Sequence, residues 1–100
     1  MSTAKSNAIV PLILSIRDSK GGEVPQGGVT PDTTVTVAGR AEPTKKVEVL
    51  DGTVSKGTAH ADAAGSWLLV LGGLALGAHS ITASDDGAVS ATRKFSVVQQ

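Results

Sequence analysis

The sequence predicts an all-β fold, a sandwich of seven short strands in a single domain. Turn-forming residues punctuate the chain at short intervals: Gly21-Gly22, Gly27-Gly28, Pro43, Asp51-Gly52, Asp62 to Gly65, Gly72-Gly73 and Asp86-Gly87. The pieces between them are rich in Val, Thr, Ile and Leu, and most alternate apolar with polar, the period of a pleated strand with one buried face. No piece reads as a helix.

The first predicted strand is Pro11 to Asp18, with Leu12, Leu14 and Ile16 on one face and Ile13, Ser15 and Arg17 on the other. The second, Thr33 to Ala41, turns Val35, Val37 and Gly39 inward against Thr34, Thr36 and Ala38. The third, in KKVEVLD, opposes Val47 and Val49 to Lys46 and Glu48. Thr53 to His60 is a weak fourth strand of small residues, placed at an edge where Lys56 discourages pairing with another chain. Ser66 to Leu71 is the fifth. The sixth, AHSITASD, sends Ile81 and Ala83 inward, and the seventh, VSATRKFSVV, sends Phe95 and Val97 inward. Seven short alternating strands imply an immunoglobulin-like sandwich. Its predicted core is Val35, Val37, Val47, Val49, Trp67, Leu69, Leu71, Ile81, Phe95 and Val97.

Composition narrows the function. Nine Lys and Arg balance nine Asp and Glu, so no net field gathers nucleic acid or an anionic membrane surface. No run approaches the roughly 18 apolar residues of a membrane helix. There is no cysteine, so the core stands on packing without disulfides. The first ten residues, polar and Ala-rich, read as a tail or linker, and residues 11–98 as the module.

The run VEVLDGTVSKGTAHADAAGSWLLVLGGLALGAHSITASDDGAVS resembles the bacterial Ig-like modules repeated in tandem in large surface adhesins. The matching elements are a Val-x-Val strand at Val47 to Val49, Asp51-Gly52, Gly57 to Ala59, Asp-x-x-Gly-x-Trp at Asp62 to Trp67, Leu74 to His79, and Ser80 to Ala83. The earlier DTTVTVAGRAEP, Asp32 to Pro43, is similar to the second strand of that family and its Gly-x-Ala-x-Pro exit. The resemblance implies a non-catalytic spacer or presenting unit of a larger surface or exported protein. It implies neighbouring modules or subunits as partners and an extracellular or cell-surface location. The chain departs from the pattern in SDDGAVS, which lacks the Asn common in the turn before the last strand, and it has no tyrosine. Two other readings stay open: a decoration domain of a phage or virion, and a module whose loops bind glycan or protein.

Sites of chemistry are few. His60 and His79 lie on separate strands, no His-x-x-x-His pair occurs, and no Gly-x-Ser-x-Gly presents a nucleophile, so the sequence predicts neither an enzyme nor a cofactor. Calcium wants six to eight converging oxygens. Asp18, Glu23, Asp32, Asp51, Asp62, Asp85 and Asp86 sit mostly in turns without Asp-x-Asp-x-Asp spacing and read as turn caps. A calcium site would need Asp85 and Asp86 together with a carboxylate from a neighbouring module.

The most informative stretch is Trp67-Leu68-Leu69-Val70-Leu71, five large apolar residues where a half-buried strand should alternate. With Trp67, Leu69 and Leu71 inward, period two sends Leu68 and Val70 outward. Strand order then sets Ile13 and Ala38 beside them, a predicted contact face of Ile13, Leu68 and Val70. A fold-back of the tail through Ala8 and Ile9, or a bulge turning one of these residues inward, would also account for it. An odd number of strands puts the chain ends at opposite poles, so copies joined end to end would form a rod.

Overall fold

A computed structural model describes residues 10–85 and 87–99. The strands are β1 (Leu12–Asp18), β2 (Gly28–Thr30), β3 (Val35–Arg40), β4 (Lys46–Asp51), β5 (Val54–His60), β6 (Ser66–Leu71), β7 (Gly77–Asp85), β8 (Ala88–Val89) and β9 (Arg93–Val97). Each of the seven predicted strands overlaps one of these, the sixth beginning one residue earlier than expected, at Gly77. β2 and β8 are additional, three and two residues long, in segments that read as loop and as the start of the last strand. A three-stranded sheet, β1-β3-β6, faces a six-stranded one ordered β2-β9-β7-β4-β5, with β8 paired to β7. All pairs are antiparallel except β2 with β9.

The two sheets share one apolar core, as in a β-sandwich. Ile16, Val35, Val37, Trp67 and Leu71 come from the smaller sheet, and Val47, Val49, Ala59, Ile81, Ala83, Phe95 and Val97 from the larger. Leu69 is partly buried against them. Strict alternation in VTV, VEV and ITA puts one β-branched or small residue inward at every second position, which is how three short strands fill a core almost without aromatics. Trp67, 3% exposed, supplies the largest side chain.

The indole has room because Gly39 stands opposite Trp67 in the β3–β6 ladder. A Cβ at Gly39 would lie 2.5 Å from Trp67 Cζ2 and 2.0 Å from the Leu12 carbonyl oxygen. The turn before β6 is closed by Asp62, whose Oδ1 accepts from the N–H groups of Ala64 and Ser66, both at 2.9 Å. Gly65 takes φ +86° there and lies so close to the Ala41 carbonyl, 2.6 Å from where a Cβ would sit, that a side chain has no place.

β1 departs from the expected phase. Its register against β3 runs Ile13↔Gly39 and then Ser15↔Ala38, leaving Leu14 as an extra residue in a β-bulge. The bulge shifts the alternation by one. Ile13 therefore packs against the core together with Ile16, whereas Leu12 and Leu14, expected inward, are 49% and 55% exposed.

The pairings place the ends of the module. Leu12 lies opposite Arg40, and the next residue, Ala41, donates its N–H to Gly65 O at 2.8 Å, so β1 enters at the pole of the β3–β4 and β5–β6 turns. Val97 lies opposite Gly77, and the N–H of Val98 reaches Thr30 O at 2.9 Å, so β9 leaves at the pole of the β6–β7 loop. The two ends emerge at opposite poles.

Candidate contact face

The outer face of the three-stranded sheet is built by the side chains that the core does not take. The β3–β6 register sets Arg40 beside Ser66, Ala38 beside Leu68 and Thr36 beside Val70. On the other flank of β3, Leu12 adjoins Arg40, Ser15 adjoins Ala38 and Arg17 adjoins Thr36. The bulged Leu14 is added at the middle level. Leu68 and Val70 are 60% and 56% exposed. The face is an apolar band of Leu12, Leu14, Ala38, Leu68 and Val70 with Arg40 at one end and Arg17 at the other. Leu14, Ala38 and Leu68 line an open hollow of about 490 Å³ that also touches Arg40, Asp62 and Trp67.

The predicted face of Ile13, Leu68 and Val70 thus needs one correction. Leu14 takes the place of Ile13, because the bulge rotates Ile13 inward. The alternative covering by Ala8 and Ile9 lies outside the described residues. The opposite outer face, on the larger sheet, carries Lys46, Glu48, Thr58 and Ser84 on β4, β5 and β7.

The carboxylates work locally. Asp18 Oδ1 accepts from the N–H groups of Lys20 at 3.0 Å and Gly22 at 2.8 Å. Asp32 accepts from the hydroxyl and, at 2.7 Å, the N–H of Ser19, and from Thr34 N–H at 3.1 Å. The Ser19 hydroxyl, followed by these backbone donors, holds the Asp32 carboxyl below its ordinary value. Asp62 is lowered by the N–H groups of Ser66 and Ala64. Glu23 pairs with Arg93 at 2.9 Å. Among the described residues no three acidic or histidine side chains converge as a metal site, and Asp86 lies outside those residues.

One polar cluster escaped the sequence reading. Buried His79 sets Nδ1 at 2.5 Å from Asp51 Oδ2 and Nε2 at 2.8 Å from Ala75 O, and its ring stacks on Phe95 with centroids 5.3 Å apart. Asp51 Oδ1 also accepts from Ser80 N–H at 3.1 Å. The group ties the end of β4 to β7 and to the β6–β7 loop. His60 is exposed on β5, at the other end of the sheet, and takes no part.

No family model matches the sequence, and no curated protein matches it. A solved structure named Biofilm associated protein - BSP domain is similar to this chain, with 21% sequence identity and a TM-score of 0.47 over 95% of this chain. The chain spans 15% of the length of that protein. Among the described residues no helix is long and apolar enough to cross a membrane.

Proposed function

We propose that the chain is a non-catalytic immunoglobulin-like module, a spacer or presenting unit that works end to end with similar modules in a bacterial surface or exported protein. The observation that carries this reading is that β1 begins and β9 ends at opposite poles, Leu12 beside Arg40 and Val97 beside Gly77. A module so built adds its full length to a chain of modules, about 30 Å for strands of this size. The strand order supports the immunoglobulin-like part. Three strands, β1-β3-β6, face a sheet with β9-β7-β4-β5 in sequence, the pattern of seven principal strands split between two antiparallel sheets. The described side chains support the non-catalytic part, since the buried histidine has both ring nitrogens engaged and the turn carboxylates are occupied by backbone donors.

The test is small-angle scattering of the single chain and of two copies joined end to end. The tandem chain should lengthen by about one module, roughly 30 Å, with an unchanged cross-section. A tandem chain folded side by side, with a thicker cross-section and little added length, would overturn the spacer reading.

A further inference from the structure

The two sheets present four edges, β1 and β6 on one and β2 and β5 on the other, and three of them carry features that discourage pairing. β1 is bulged at Leu14. β5 is bulged at Lys56, where the register passes from Val49↔Gly57 to Leu50↔Ser55, and the charge sits at that bulge. β2 is three residues long and lies between Pro25 and Pro31. β6 is different. It has six residues with no charge, no proline and no shift of register.

The phase of the β3–β6 ladder tells which backbone groups of β6 are free. Because Ala41 N–H donates to Gly65 O and the register runs unbroken from Arg40↔Ser66 to Val35↔Leu71, the N–H and C=O groups of Trp67, Leu69 and Leu71 point at β3. Those of Ser66, Leu68 and Val70 point at the edge. Ser66 is occupied: its N–H donates to Asp62 Oδ1 and its carbonyl accepts from Asp62 N–H, each at 2.9 Å. The groups of Leu68 and Val70 have no partner among the described residues. These are the two residues whose side chains stand exposed on the outer face.

We propose that β6 pairs antiparallel with β6 of a second copy of the chain, about a two-fold axis through Leu69. The free groups are two residues apart and symmetric about Leu69, so a copy rotated by half a turn sets its Val70 against Leu68 and its Leu68 against Val70. That register closes about four backbone hydrogen bonds. The edge has no charge to repel its own copy, whereas two β5 edges would oppose Lys56 to Lys56. The apolar bands of the two copies then join across the new pair into one continuous sheet face. The pairing is lateral and does not depend on the spacer reading.

An edge of this length buries less than the roughly 1,200 Å² of a stable complex, so single copies pair weakly. Where two rows of such modules lie side by side, each pair formed raises the effective concentration for the next.

The experiment is sedimentation velocity on the full chain from about 10 μM to about 1 mM, with amide exchange followed residue by residue at both ends of that range. The chain should pass from monomer to dimer, and exchange at the Leu68 and Val70 amides should slow about tenfold with concentration. Val70→Lys places a charge at the pairing edge, and Leu68→Pro removes an N–H that β3 does not use. Both should stay monomeric, and if Leu68→Pro unfolds, Val70→Lys decides alone. A monomer at every concentration, or a dimer that survives Val70→Lys, would overturn the proposal. So would Leu68 and Val70 amides already protected at the lowest concentration and released by deleting residues 1–9, a result that would assign the edge to the chain's own beginning.

Discussion

Gly39→Ala should destabilise the protein by about 1–3 kcal/mol, although alanine suits a strand better than glycine does. The added Cβ would lie 2.0 Å from the Leu12 carbonyl oxygen and 2.5 and 2.7 Å from Cζ2 and Cε2 of Trp67. No real Cβ approaches so near. The indole is enclosed in the core, and the carbonyl belongs to backbone on the shoulder of the β1 bulge, so relief requires shifting either the largest core side chain or the strand itself. Overpacking of this kind costs about 1–3 kcal/mol, and a displaced ladder hydrogen bond adds about 1. Gly39 does not have a positive φ, so alanine recovers about 0.4–1 kcal/mol by restricting the unfolded chain. At about 4–8 °C per kcal/mol for a domain of this size, the net cost appears as a Tm lower by roughly 5–20 °C in thermal unfolding followed by circular dichroism. Trp67→Phe as a second background separates the two clashes, because phenylalanine removes the indole atoms and leaves the carbonyl. A Gly39→Ala protein melting within about 2 °C of the wild type would refute the packing argument.

Other outcomes follow from the same geometry. Trp67→Ala should cost about 3–5 kcal/mol in urea unfolding. Trp67→Phe should cost clearly less, since it also removes an indole N–H that finds no acceptor among the described residues. His79→Ala should cost about 1–3 kcal/mol, read the same way, because it removes the ring that bridges Asp51 Oδ2 and Ala75 O and stacks on Phe95. Asp32 and Asp62 have folded-state pKa values below the ordinary 3.8, so the folded state binds fewer protons than the unfolded one; their contribution is present above that value and lost as pH falls through the folded pKa. The urea midpoint should therefore fall as pH drops below about 4, and the fall should be shallower in Asp32→Asn with Asp62→Asn. A midpoint with the same acid slope in the double variant would sink that assignment.

What could be read from the sequence depended on whether the deciding contact was near or far along the chain. Val35 and Val37, Val47 and Val49, and Ile81 and Ala83 are legible because a period of two is a local property of the strand. In β1 the run Leu12-Ile13-Leu14 is apolar in both phases, so periodicity has nothing to choose with. The choice belongs to the bulge, which forms beside Gly39 and Trp67, residues far along the chain. β2 looks like a loop because Gly28-Val29-Thr30 is short and followed by proline, and only pairing with Phe95 to Val97 makes it a strand. Asp51 and His79 stand 28 residues apart and read separately as a turn cap and a strand residue. The apolar outer face was legible at Leu68 and Val70, and its third member was misplaced by the one residue that the bulge inserts.

The opposite-pole exits also decide how the module answers a pull on its two ends. Tension along the chain draws β1 outward along its own length past β3, and draws β9 the other way past β7 and β2. Both terminal strands are loaded in shear, so the cross-strand hydrogen bonds of each must stretch together. Ends that left from one pole would let the same bonds open one after another, like a zipper. A stretched module of this connectivity resists through whole ladders at once, and the parallel β2–β9 pairing extends the ladder that holds the C-terminal strand.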